Sequence, residues 1–168
     1  KKNLKFLKKN LKAGFVITCV GDEGEFSYIP SRYGNTYADK LAKNILQESY
    51  PNFKQYSFLD RGSDERQFCS PKIDLPVCSV TKTKYGTFKE YHTSDDNLNF
   101  ISSKGLSESI EFYLKIILLN EKNAIPEVKT FCEPQLGKSG LYSHISKSGS
   151  SMKSRDFLNV VAYSNGHD

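Results

Sequence analysis

The run Phe15-Val16-Ile17-Thr18-Cys19-Val20 constrains the chain most. Its residues are apolar or β-branched and do not alternate with polar partners, which predicts a strand covered on both faces, as in a parallel sheet. Gly21-Asp22-Glu23-Gly24 supplies turn residues to close it. Leu75-Pro76-Val77-Cys78-Ser79-Val80 reads as a second strand, its proline at the start, where a missing N–H is tolerated. Tyr56-Ser57-Phe58-Leu59 predicts a further extended piece.

Between these runs the apolar period becomes helical. Leu4, Leu7 and Leu11 predict an amphipathic helix over 2–12, ended by Gly14. Ala38, Leu41, Ala42 and Ile45 share one face of a second helix, entered through Thr36 with Asp39 at the capping position. Ile110, Tyr113, Leu114, Ile117 and Leu118 define the apolar face of a long helix from about Leu106 to Asn120. Strands alternating with helices predict an α/β fold, a three-layer sandwich with a largely parallel, mixed sheet. After Pro126 the character changes. Residues 137–154, rich in Gly, Ser and Lys, read as a flexible turn region, and Arg155 to Tyr163 as another apolar-periodic segment. The expected division is 1–125 for the α/β part and 126–168 for a linker and a short second segment.

Composition narrows the class. With 38% hydrophobic and 26% charged residues, the 168-residue chain fits a globular protein and not a disordered one. No apolar run approaches the ~20 residues of a membrane helix, and the N-terminus lacks a signal-peptide pattern. Cys19, Cys69, Cys78 and Cys132 form no CxxC pair and fit neither a zinc finger nor a disulfide scaffold, so a reducing cytoplasm is expected. The net charge is +5, and Lys1, Lys2, Lys5, Lys8, Lys9 and Lys12 crowd the first helix. They read as a solvated face, because the aromatic–basic interleaving of a nucleic-acid surface is missing. The only Met is Met152, so the chain reads as a fragment or a processed product.

Three stretches carry candidate chemistry. Tyr91-His92-Thr93-Ser94-Asp95-Asp96 offers an imidazole, a neutral nitrogen donor suited to Zn²⁺, although by the residues alone it reads first as a loop histidine beside a turn. Arg61-Gly62-Ser63-Asp64-Glu65-Arg66 is either a salt-bridged surface turn or a substrate loop, Asp64 meeting an ammonium and Arg66 a carboxylate. Gly21-Asp22 lies past the first strand, where open α/β sheets bind ligands; Asp22 is a metal-ligand candidate or a turn residue. A phosphate loop, a GxSxG elbow and HExxH are all missing.

Tyr91-His92-Thr93 with Asp96 and Leu98 resembles the H-T-x-x-D-x-L motif of zinc aminopeptidases of the bacterial leucyl aminopeptidase and glutaminyl cyclase type. Gly62-Ser63-Asp64 through Phe68 is similar to that superfamily's S-D-H segment, with Glu65 in place of the histidine. A closer resemblance is to a bacterial aminopeptidase-like family of unassigned function, often encoded near polysaccharide biosynthesis genes. Thr18 to Asp22, Ser31-Arg32, Asp64 to Pro71, Tyr91 to Ser94, Asn97-Leu98, Glu133 to Lys138 and Gly140-Leu141-Tyr142 carry it. The resemblance implies a zinc-bearing α/β domain followed by a winged-helix segment. His92 is implied as a zinc ligand. The superfamily's Asp ligand aligns with Thr18, so Asp22 stands as the second, and Asp64, Arg66 and Tyr91 as substrate contacts. The general base is implied upstream, so no catalytic residue is expected within this chain, which alone is expected to be inactive. The parent is expected to cleave an N-terminal residue or related amide from a peptide or amino-acyl substrate. It would act off the membrane and without nucleic acid, in a homo-oligomer or alone. The competing expectation is a non-catalytic binding or regulatory protein that keeps the peptidase fold.

Overall fold

A computed structural model describes residues 2–135, 137–138 and 152–166, with the backbone alone at 152–154. It divides into two units, Lys1–Lys122 and Asn123–Asp168. The first runs α1 (Leu4–Asn10), β1 (Gly14–Val16), β2 (Ser27–Ile29), α2 (Tyr37–Ser49), β3 (Lys54–Gln55), a 3-10 turn (Phe58–Asp60), α3 (Glu65–Phe68), β4 (Val77–Thr81) and α4 (Ser103–Lys122). The second holds α5 (Met152–Ala162). There Val128 N donates to Ser164 O at 2.8 Å, and Glu127 bridges Asn165, tying the start of the unit to its end. Among the described residues no helix is long and apolar enough to cross a membrane.

The sheet has the order β1-β4-β2-β3. β1 pairs parallel with β4, β2 parallel with β3, and β2 antiparallel with β4, giving the expected mixed and mostly parallel α/β sheet. All five residues of β4 are buried. Strand side chains alternate between faces, and the two faces of β4 serve different clusters. Cys78 and Val80 pack with Phe26, Tyr28, Ile45, Leu46, Phe112 and Ile116, between the sheet and helices α2 and α4. Val77 joins Cys69 and Leu75, against Leu7, Leu11 and Phe58. Each large apolar side chain buried this way stabilises the fold by about 1.5–3 kcal/mol.

Several sequence expectations change. The strand over 15–20 shrinks to Gly14–Val16, half-buried, and Ile17 is 61% exposed. β1 lies at an edge of the described sheet and pairs with β4 alone. The chain then leaves the ladder, and α4 with the residue before it satisfies its carbonyls. Ser109 Oγ donates to Val20 O at 2.7 Å and Ser102 N to Gly21 O at 2.8 Å. The approach is close: a Cβ on Gly105 would lie 2.3 Å from Asp22 O. That approach also selects which face of α4 is covered. The buried residues are Gly105, Ser109, Phe112 and Ile116, whereas Ile110, Leu114, Ile117 and Leu118 are exposed. Gly14 begins β1 and does not end α1, which stops at Leu11 in an extended conformation. Tyr56 N donates to Tyr28 O, but the piece beyond bends into the 3-10 turn, capped by Ser57 and Asp60. β2 was not legible, being a short buried run confined between Glu25 and Pro30. Of the expected turn region 137–154, residues 139–151 lie outside the described residues, and α5 already begins at Met152.

Helix α2 matches its sequence signal, and Asp39 does more than cap it. Its carboxylate is fully buried and accepts from Tyr28 OH (2.6 Å), Ser31 N (2.9 Å), Ser31 Oγ, Thr36 N (2.8 Å) and Thr36 Oγ1 (2.7 Å). Burial alone would push its pKa up. The hydrogen bonds from Ser31, Tyr28 and Thr36 more than offset this and hold it below the ordinary value. A depressed native pKa means that the stability Asp39 contributes is complete above the unfolded value of ~4 and is lost as pH falls through the native one. Asp39→Asn places an amide among donors and is expected to cost about 2–4 kcal/mol at pH 7. Urea titrations from pH 7 to pH 3 should show the gap between wild type and variant closing below about pH 4. A constant gap would remove the charge from this account.

Candidate functional site

β1 and β4 run parallel, so their carboxyl ends lie side by side, the place where open α/β sheets bind ligands. Lys82 N donates to Cys19 O at 2.8 Å, and the next residue, Thr83, donates its N–H and hydroxyl to the Asp22 carboxylate. Gly24 N adds a bond of 2.8 Å to the same group. Asp22 is buried and engaged in joining the segment after β1 to the segment after β4. Burial pushes the Cys19 thiol up, against the hydrogen bond with Thr18, and the Asp96 and Asp22 charges add to the rise.

The segment between β4 and α4 folds around its own aromatic rings. Phe88 stacks on Phe100 at 5.1 Å and meets Tyr91 edge-on at 5.5 Å. Tyr91 in turn stacks on the His92 imidazole, with centroids 3.9 Å apart and planes 17° apart. His92 is exposed and left-handed, with φ of 59°. That conformation costs a non-glycine residue about 1–2 kcal/mol. Among the described residues the imidazole has no hydrogen bond or ion pair, so both ring nitrogens are open to solvent.

The second loop is organised by Glu65, which sequence reasoning left as part of a surface turn. It is fully buried and accepts from Gly62 N (2.9 Å), Ser63 N (3.0 Å), Ser79 Oγ (2.8 Å) and Tyr85 OH. Burial would raise its pKa, but bonds from Tyr85, Ser63, Gly62 and Ser79 hold it below the ordinary carboxylate value. The Tyr85 hydroxyl, by burial and by the Glu65 charge, is pushed well up. Tyr85 also accepts from Gly62 N at 2.8 Å, and a Cβ on Gly62 would lie 2.7 Å from its ring. Tyr85 therefore locks the 61–65 loop to the segment that leads into His92. The one sequence signal for this was Ser79, a hydroxyl in a buried apolar run, which requires a buried partner.

The structure thus stacks Tyr91 on His92, and it ties Asp22, past the end of β1, to Thr83, past the end of β4. Asp64 is exposed at the start of α3, on the loop that Tyr85 holds. Arg66, also on α3, lines a separate pocket of about 660 Å³ whose walls include neither His92 nor Tyr91. Among the described residues, no group of three or more His, Cys, Asp and Glu side chains is placed to hold a metal ion.

Residues 1–123 match the family described as a domain of unknown function, DUF4910. The chain belongs to this family. Residues 124–168 match a winged helix-turn-helix family. A Clostridium acetobutylicum protein, named as a candidate polysaccharide biosynthesis protein with an aminopeptidase-like domain, is 43% identical over 138 residues, 82% of this chain and 32% of that protein. A crystal structure of a candidate peptidase from Clostridium acetobutylicum superposes with a TM-score of 0.77 at 36% identity, covering 99% of this chain and 36% of that one. The chain spans about a third of the length of these relatives.

In this DUF4910 chain the Tyr85 hydroxyl is the joint between the two motif loops. Tyr85→Phe removes both of its bonds and is expected to lower stability by about 1–3 kcal/mol. Gly62→Ala, which drives a Cβ into the Tyr85 ring, should cost about 1–3 kcal/mol. Thermal unfolding of the two variants checks this; a loss under about 0.5 kcal/mol in both would show that Tyr85 does not hold the loop.

Proposed function

We propose that this chain is part of a peptidase-like hydrolase that depends on zinc, with His92 as one metal ligand. The substrate is a peptide or amino-acyl compound, cleaved at its N-terminal residue or a related amide. The observation that carries the reading is the His92 imidazole. It is exposed, unbonded among the described residues, held on a left-handed backbone and stacked on Tyr91, in the segment that follows β4. The names of the relatives, one aminopeptidase-like and one a peptidase, support the reaction class.

The described residues do not by themselves fit a complete zinc centre. Asp22, the expected second ligand, already accepts from Gly24 and Thr83, and no group of three donors exists among them. In this reading the remaining ligands and the general base come from elsewhere in a longer, cytoplasmic parent, whose full domain is the three-layer sandwich. Asp22 fixes the loop, Tyr91 orients His92, and Asp64 meets the substrate ammonium. The same occupied Asp22 favours a second reading, a binding or regulatory protein that keeps the peptidase fold.

Elemental analysis of the dialysed full-length protein separates the two. Stoichiometric zinc is expected, lost in His92→Ala while circular dichroism and the melting temperature stay unchanged. Unchanged zinc in that variant would end the ligand assignment, and zinc-free wild type would favour the binding protein.

A further inference from the structure

The 660 Å³ pocket is built from the segments that follow β2 and β3 together with α3. β2 runs antiparallel to β4, so these segments leave the sheet where β4 enters it. Arg32, Arg61 and Arg66 line it, and no Asp or Glu is among the lining residues. Of the three, only Arg32 forms an ion pair among the described residues, its Nε 2.8 Å from Asp74 Oδ1. Arg32 Nη2 also donates to Asp74 Oδ2 at 3.2 Å, so this guanidinium is paired, although its buried Nε–H is left without an acceptor of its own. Arg61 sits over the Phe58 ring, its Cζ 4.7 Å from the centroid, and donates to Phe58 O, and it makes no ion pair among the described residues. The Arg66 side chain has no partner among the described residues. Its neighbour Glu65, the closest carboxylate in sequence, is engaged by Gly62, Ser63, Ser79 and Tyr85.

Two guanidinium groups in excess, in a cavity of ligand size, match an anion that carries up to two charges. A phosphate at neutral pH carries about −1.5 to −2 and presents oxygens that guanidinium groups bind in pairs. A lone carboxylate would leave one of the two positive charges unmatched. Tyr33 and Tyr56, on the same walls, offer ring surface for the rest of the molecule. We propose that this pocket binds a phosphorylated small molecule, its phosphate on Arg61 and Arg66 and its body against Tyr33 and Tyr56. The site is separate from His92, and the proposal does not rest on the hydrolase reading.

Isothermal titration of the full chain with pyrophosphate, inorganic phosphate and succinate at fixed ionic strength tests it. Saturable pyrophosphate binding is expected, weakened about tenfold or more by Arg66→Ala and by Arg61→Ala. Lys5→Ala, which removes one charge from the exposed basic helix, should leave it unchanged. Arg66→Lys should fall between, because it keeps the charge and loses the paired donors. Arg66 has no described side-chain partner, so its variants should fold, which circular dichroism verifies. Absence of saturable binding, equal affinity in the Arg66 and Arg61 variants, an equal loss in Lys5→Ala, or tighter binding of succinate would each overturn the proposal.

Discussion

Strand β4 is enclosed on both edges and both faces, and the rest of the first unit is arranged by that enclosure. β1 and β2 take its backbone groups, Cys78 and Val80 enter one core cluster, and Val77 enters the other. Its polar residues then require local partners. Ser79 finds Glu65, and the residues just past the strand, Lys82 and Thr83, bond to Cys19 and Asp22. Two buried carboxylates, Asp39 and Glu65, stabilise the connecting loops without a counter-cation among the described residues. A buried charge is tolerated when its lone pairs are filled, and both have several N–H and hydroxyl donors aimed at them. The stretch 28–36, the turn at 62–63, Ser79 and Tyr85 are thereby tied to two side chains.

What the sequence disclosed follows from how far each signal reaches. The helical period of Ala38, Leu41, Ala42 and Ile45 and the Thr36/Asp39 pair located α2, because both are local. The Val77–Val80 run located β4 for the same reason. Failures occurred where a distant segment decides. Phe15–Val20 is apolar enough for a buried strand, yet among the described residues it has a pairing partner on one side only, and the Val20 carbonyl bonds to α4. α4 itself was legible, but its covered face was not. The stripe Gly105, Ser109, Phe112, Ile116 is less apolar than the exposed one. It is chosen by a close backbone approach at Gly105 and a hydroxyl that reaches a loop carbonyl, neither of which hydrophobicity reports.

The charged turn shows the same limit at finer scale. Asp64, Glu65 and Arg66 look in sequence like one solvated patch. On a helical turn, successive side chains project about 100° apart, so three adjacent charges cannot share an environment. Asp64 faces solvent, Glu65 points into the protein to four donors, and Arg66 enters the pocket. The motif resemblance identified the stretch, but the division of roles within it depends on α3 being helical.

Backbone strain distinguishes the two loops that meet beyond β1 and β4. Cys19 and His92 both adopt a left-handed conformation, with φ of 49° and 59°. For Cys19 the compensation is visible: its carbonyl accepts from Lys82, and its neighbours are bonded to α4 and to Thr83. His92 gains only ring stacking on Tyr91, itself held by Phe88 and Phe100. That stacking, worth about 0.5–1.5 kcal/mol, is comparable to the strain, so the loop stabilises the imidazole's orientation without engaging its nitrogens. The ring is oriented while its nitrogens make no bond among the described residues, and the proposed ligand role rests on that combination. This is why the ligand reading is attached to His92 and not to the more deeply buried Asp22.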